Sequence, residues 1–243
     1  MGNPDKIVCK NCGNLFIGKF CNNCGQKHSN QRLTFKLLLH DLVHAFTHFD
    51  KGYLFTIKEM AVRPGHTIRD YINGKRAGHT NPLVMLLILG GLCSLLYMKL
   101  NLRMLNSFNA NDLPESFHAL SAKSFALSML AYCFLFAAID RLAFRYKKYN
   151  YTELFVMNAF ICVEVLVVEI GLVPLWLAGR FFEINNYLRA IIALLFFVYF
   201  MMVRYQFFEV ANDLKTKKRW VWVGVIFICL WLIGLYKTIM SLL

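Results

Sequence analysis

Beyond Pro82 the chain carries five long apolar stretches, running roughly from Leu83 to Leu100, Ala122 to Ile139, Leu154 to Leu177, Leu188 to Val203 and Trp220 to Tyr236. Each is long enough to cross a hydrocarbon core about 30 Å thick. Nothing else in the chain restricts its fold so tightly, because inside lipid a single crossing segment must satisfy its own backbone N–H and C=O groups, as a helix does. The composition agrees: 58% hydrophobic and only 17% charged residues over 243 positions is too apolar for a soluble globular protein. The expected class is an all-α integral membrane protein. The fourth stretch is short, and Arg189 and Arg204 at its ends are expected to snorkel toward water.

Charge placement predicts an orientation. With a cytoplasmic amino terminus, residues 1–82, the loop around Arg141, Arg145, Lys147 and Lys148, and the segment from Arg204 to Arg219 place 21 of the 27 Lys and Arg residues on one side. Lys99, Arg103, Lys123, Arg180, Arg189 and Lys237 fall on the other. That is the asymmetry of five spans with the carboxyl terminus on the opposite face. The net charge of +13 is therefore mostly a topological signal. Nucleic acid is not an expected partner, since the amino-terminal cysteine region offers lysines but no arginine for reading base edges.

That region, residues 1–30, contains Cys9-Lys10-Asn11-Cys12-Gly13 and Cys21-Asn22-Asn23-Cys24-Gly25. Each half sets two thiolates across a two-residue gap and follows them with a glycine, a turn in which both sulfurs reach one ion. Disulfides are disfavoured because no apolar signal segment opens the sequence. A redox pair would need a strand-to-helix context that this region lacks. Cys9, Cys12, Cys21 and Cys24 are thus expected to hold one structural zinc ion, with iron as the competing metal for the same cage. A segment this small cannot fold on buried area alone, so the metal is expected to supply its folding energy.

Residues 31–82 read as amphipathic juxtamembrane helices ahead of a five-span domain over 83–243. Phe35, Leu38, Leu39, Leu42, Val43, Phe46 and Phe49 recur at helical spacing within Thr34 to Val62, which predicts a helix lying on the cytoplasmic membrane surface. His40, His44 and His48 form a stripe along it. No carboxylate or cysteine is placed to complete a metal site there, so the stripe reads as a solvated edge. Pro64 and Gly65 end that helix, Thr67 is expected to cap the next, and Asn73-Gly74 to stop it. Arg63, Arg69, Lys75 and Arg76, with His66 and His79 nearby, are candidates for holding lipid phosphate, and equally for fixing orientation.

Glu164 and Glu169 are the exceptional intramembrane residues, about 7 Å apart along a helix and turned about 140° from each other. They are expected to face the bundle interior, as protonated packing groups or as carriers of protons or cations. Cys93, Cys133, Cys162 and Cys229 read as scattered apolar packing residues. Asp140, Arg141 and Glu153 fall near the ends of the spans. The sequence contains no Walker loop, dinucleotide glycine pattern, Gly-x-Ser-x-Gly elbow or His-Glu-x-x-His motif.

The double Cys-x-x-Cys-Gly knuckle ending in Gln26, then Asp50-Lys51-Gly52, Thr56, Arg63-Pro64-Gly65, Tyr71, Gly74-Lys75-Arg76 and Pro82 resemble a group of bacterial multi-pass proteins classed as a domain of unknown function. The resemblance covers about residues 9–85. It implies a cytoplasmic zinc ribbon fused to a helical domain of the inner membrane, and no activity. The resulting expectation is a non-enzymatic membrane protein whose ribbon recruits a protein partner and whose bundle assembles, scaffolds or organises lipids, anionic ones included. The alternative expectation is a small transporter or proton-coupled permease using Glu164 and Glu169.

Overall fold

Three of the described helices begin on an Asn or Asp whose side chain takes up N–H groups that a first helical turn leaves without partners. Asn81 Oδ1 accepts the N–H of Leu83 at 2.9 Å, with Pro82 in the first helical position. Asn150 Oδ1 accepts the N–H of Glu153 at 2.7 Å while Glu153 Oε2 accepts that of Asn150 at 2.8 Å, a reciprocal capping box. Asp213 receives the N–H groups of Lys215 and Thr216 and the Thr216 hydroxyl.

The computed structural model describes residues 6–28, 32–39, 52–100, 125–178 and 186–225. A two-stranded antiparallel hairpin comes first, β1 (Ile7–Val8) and β2 (Leu15–Phe16). The rest is mostly helical: α1 (Gly52–Val62), α2 (Pro64–Asn73), α3 (Pro82–Leu100), α4 (Phe125–Ala143), α5 (Tyr151–Ala178) and α6 (Asn186–Phe207). Residues 35–39 and 214–225 are also helical.

Helix α5 is the centre of the fold. Leu154, Phe155, Val156, Met157, Ala159, Phe160, Val163 and Leu166 are buried around its whole circumference, the pattern of a helix enclosed by others. It packs against α3 and α4, with α1, α2 and α6 also touching it. The outer faces are apolar as well: Leu127, Leu135 and Leu142 on α4 and Leu194, Leu195 and Val198 on α6 are exposed.

Two described helices are long and apolar enough to cross a membrane, over Ala126–Ala143 (18 residues) and Tyr151–Leu175 (25 residues). This is fewer than the five expected. Among the described residues the apolar runs of α3 and α6 cover Pro82–Leu96 and Leu194–Phe207, each about 20 Å at 1.5 Å per residue. The fifth stretch is described to residue 225 only, and the helix there starts at 214, well before Trp220.

The helix boundary at Pro64 also differs from expectation. Pro64 starts α2 rather than merely ending α1, and Thr67 does not cap it; Thr67 is buried inside the helix and its hydroxyl donates to Glu59 O at 3.2 Å. Proline suits this place because a first-turn residue has no intrahelical partner for an N–H. Gly65 follows because α2 crosses α6 at backbone distance: a Cβ there would lie 2.6 Å from Phe207 N and Val203 O. The far end behaves as expected, with Gly74 left-handed, its N–H bonded to Tyr71 O and that of Lys75 to Asp70 O.

Residues 33–39 depart from a helix lying on a membrane surface. Leu33 and Leu38 are buried in the main core, and Phe35 packs on Phe134 and Phe155 at ring distances of 5.8 and 5.1 Å. The histidine stripe, His40, His44 and His48, lies outside the described residues.

Arg204 gives the largest correction. It neither snorkels nor adds a solvent-facing charge: it is 0% exposed, and its Nε and Nη2 bind both oxygens of Asp140 at 3.0 and 2.9 Å. Asn158 Oδ1 accepts from Nη2 at 2.7 Å, and Asn158 Nδ2 donates to Asp140 at 3.0 Å. The guanidinium lies 3.4 Å from the Phe200 ring centre. Asp140 on α4, Asn158 on α5 and Arg204 on α6 thereby join three helices through one charged cluster. Burial of either charge alone would be prohibitive, so each accounts for the other.

Candidate metal centre

The hairpin and the turn after it bring four thiols together. Gly13 N–H bonds to Cys9 O and Cys9 N–H to Asn14 O; the second half repeats this with Gly25 N–H to Cys21 O and Cys21 N–H to Gln26 O. Both turns need a left-handed residue after the second cysteine, and Gly13 and Gly25 supply it at φ of 74° and 70°. Asn14 Nδ2 donates to Asn22 Oδ1 at 2.8 Å, tying one half to the other.

All four sulfurs lie within 4.8 Å of one another, with Cys9 to Cys24 at 3.5 Å and Cys12 to Cys21 at 3.6 Å. Tetrahedral coordination with metal–sulfur bonds near 2.3 Å requires sulfur separations of about 3.8 Å. The donor set therefore fits one tetrahedral ion. The thiols are not equivalent: the backbone N–H of Cys24 pulls Cys21 down to about 6 against the opposing effect of burial and the N–H of Cys12 lowers Cys9, whereas, against the N–H of Gln26, burial and the neighbouring Cys9 and Cys12 sulfurs push Cys24 up to about 11. Thiolates are the form a metal binds.

The amide of Gln26 fastens the knuckle to the turn that follows α2. Gln26 Nε2 donates to Gly74 O at 2.7 Å, while its Oε1 accepts from Arg76 N at 2.9 Å and Ala77 N at 3.0 Å. Three bonds of about 0.5–1.5 kcal/mol each make Gln26→Ala costly for docking rather than for the metal. We expect faster amide exchange at Arg76 and Ala77 with metal content unchanged; unaltered exchange there would count against the clamp.

The other predicted site residues do not converge on one ligand. Arg63 pairs with Glu59 at 2.6 Å and lies 3.7 Å from Asp70, and Lys75 also binds Asp70, at 3.0 Å. Arg69 turns the other way, to the carbonyls of Gln206 and Phe207 and the carboxylate of Glu209, closing the carboxyl end of α6. Arg76 bonds to Tyr71 O at 3.2 Å and lies over the Tyr71 ring. Burial pushes His79 below its ordinary pKa, so it is neutral at pH 7 and adds no charge for phosphate. His66 is exposed.

Within the helices Glu164 and Glu169 are both buried on α5, and Glu164 Oε1 has no hydrogen-bond partner among the described residues. Cys133 and Cys162 are not scattered: their sulfurs lie 3.6 Å apart across the α4–α5 contact. The Asp140–Asn158–Arg204 cluster escaped sequence reading altogether. The available signal was an acid and a base, each near the end of a different apolar stretch.

The stretch from residue 50 to residue 93 matches a family described as a protein of unknown function, DUF3667. No curated protein and no solved structure matches the chain. The matched stretch holds Gly52, Thr56, Arg63-Pro64-Gly65, Tyr71, Gly74-Lys75-Arg76 and Pro82, and the geometry explains several of them by backbone approach. Thr56 is buried between Gly52 O, which it donates to, and Thr80 N–H, which it accepts. Gly65 admits α6, Gly74 stops α2 where Gln26 docks, and Pro82 starts α3. The four cysteines lie outside the match, so the likeness to DUF3667 rests on α1, α2 and the first half of α3.

Proposed function

We propose that this chain is a non-enzymatic, multi-pass protein of the bacterial inner membrane whose zinc-bearing knuckle recruits a cytoplasmic protein to a helical scaffold. The observation that carries the reading is the outward face of the hairpin. Side chains alternate along a strand, and here both faces are apolar: Ile7 and Phe16 pair toward the sulfurs, whereas Val8 and Leu15 pair outward and are 60% and 57% exposed. Ile17 and Phe20, at 55% and 59%, extend the exposed apolar surface. A unit of some twenty residues that leaves so much apolar surface uncovered is built to be covered by a partner.

Three observations support the membrane part. The outer faces of α4 and α6 are apolar, two helices are long enough to cross, and the basic segments gather at one end. There Arg32 binds Glu153 and Lys148 O, Tyr146 Oη donates to Thr216, and Arg219 reaches Ala143 O. Positive charge assembled at one end suits the cytoplasmic face. Among first-row metals zinc suits a closed four-thiolate cage, with iron as the rival.

A photo-crosslinker placed at Leu15 or Ile17 in living cells tests the reading. A discrete protein adduct at both positions, lost on Cys21→Ser, is expected. Adducts to lipid alone, or none, would remove the recruitment role.

One observation favours a second reading, a proton-coupled permease. Glu164 Oε1 and the Tyr199 hydroxyl are buried without hydrogen-bond partners among the described residues, and the two side chains are within electrostatic reach across α5 and α6. Glu164→Gln separates the two. A scaffold should keep its abundance and phenotype, because an amide packs like a protonated carboxyl. A permease should keep its abundance and lose its function.

A further inference from the structure

Between the metal knuckle and the helix ends lies an open-sided cavity of about 1160 Å³. Lys10 and Lys27 reach its wall from the knuckle, Arg76 from the segment after α2, and Lys147 and Lys148 from the α4–α5 turn. The carboxylate among its described lining residues is Glu153, which is already committed: Arg32 binds both oxygens at 3.0 and 2.7 Å, and Asn150 N–H binds one at 2.8 Å. Asp213, near enough to feel Lys147, is occupied in capping the helix at 214–225. Among the described residues, five cations thus surround one volume with no carboxylate left to neutralise them there.

The positive-inside bias accounts for many cations on one side but not for their convergence from three segments far apart in sequence. Like charges gathered in this way repel; the metal-loaded thiolate cage, net −2 and present at the wall through Cys9, offsets part of that repulsion, and the rest calls for a further anion. Two of the five are also held in place. The stem of Lys10 lies against Gly74, where a Cβ would come within 2.8 Å of its Cδ, and Arg76 is fixed through Tyr71 O and the Tyr71 ring.

We infer that this cavity binds an anion carrying two or more phosphate groups, taken either from a lipid headgroup at the membrane surface or from a soluble nucleotide. A single phosphate would leave most of the volume and most of the charge unused. Pockets for small organic ligands span about 300–1,000 Å³, so a diphosphate with its attached group fits. Arginine can grip one phosphate through two parallel donors, and the lysines act as point charges around the other. The inference stands whether or not the outward face of the hairpin recruits a protein.

The test uses the metal-loaded full chain in phosphatidylcholine nanodiscs. Inorganic pyrophosphate is titrated by calorimetry, and cardiolipin doped into a second set of discs is counted by native mass spectrometry. Saturable pyrophosphate binding that cardiolipin leaves untouched assigns a soluble ligand; retained cardiolipin displaced by pyrophosphate assigns a lipid. Each charged contact to phosphate is worth roughly a tenfold change in affinity, so Lys147→Gln with Lys148→Gln should weaken binding about a hundredfold at unchanged metal content. Lys10→Gln should weaken it about tenfold, and Lys99→Gln, at the end of α3 and outside the cavity, should not. No binding of either probe overturns the inference, as does an equal loss on Lys99→Gln, which would mean diffuse attraction. Displacement of pyrophosphate by a lower concentration of a glutamate-rich peptide also overturns it, in favour of an acidic protein segment.

Discussion

Cys21→Ser releases the metal and unfolds residues 6–28 while the helical body stays assembled. The knuckle's own core is Cys9, Phe16 and Cys21, with Ile7 and Cys24 partly buried against it, far too little apolar area to offset the entropy of ordering the chain. Binding of a structural zinc ion by such thiolate sets is worth about 10–16 kcal/mol, so the ion outweighs every other contribution to this part of the fold. The body draws on a separate core centred on α5. Elemental analysis should give one zinc per chain before the substitution and none after it. Amide exchange should rise throughout 6–28 and stay unchanged over 151–166. Protein prepared without chelator that holds neither zinc nor iron would end the metal assignment, and melting of α5 along with the knuckle would show that the two folding drives are not separate.

Asp140→Ala is expected to cost the helical body about 3–5 kcal/mol, because it leaves the Arg204 guanidinium buried beside Phe200 and Phe136 with no counter-charge. Asn158→Leu should cost less, about 1–3 kcal/mol, since Arg204 keeps Asp140. The informative comparison is the pair Asp140→Leu with Arg204→Met, which removes both charges and restores apolar volume. It should recover most of the loss, as buried ion pairs replaced by apolar groups commonly do. Thermal unfolding in detergent measures all three. A loss below about 1 kcal/mol for Asp140→Ala would mean that Arg204 reaches water and that the cluster is not closed.

Where spacing alone dictates chemistry, the sequence was legible. Two Cys-x-x-Cys-Gly units leave their sulfurs little choice, and the four thiols converge as that spacing requires. Asn73-Gly74 ends α2 for an equally local reason. Legibility failed where the decisive partner lies far along the chain. Arg204 resembles a solvated terminus because its neighbours in sequence are apolar; its counter-charge is 64 positions away on another helix. Arg69 resembles a phosphate ligand, yet it closes α6 at 137 and 138 positions' remove. Residue type alone suggests a capping role for Thr67, whereas Pro64 removes one donor from the first turn and Gln206 Oε1, from α6, accepts the N–H of Gly65 at 3.0 Å. The cationic cavity was invisible for the same reason as the buried pair, since Lys10, Arg76 and Lys148 belong to no common stretch.

The Asp140–Arg204 pair also has an order in time. On the proposed membrane reading, in a chain made and inserted from its amino terminus, Asp140 emerges first, Asn158 follows 18 residues later and Arg204 another 46 after that. At about 5–20 residues per second the carboxylate waits several seconds for its cation. During that interval α4 carries an acid at its carboxyl end with only an amide to hold it, so the nascent helix should remain shallow, with Asp140 at the aqueous boundary, until α6 arrives. The charged cluster would then act as a latch on biogenesis, set only when the fourth long helix is made, and truncation before Arg204 should leave a nascent protein marked for removal.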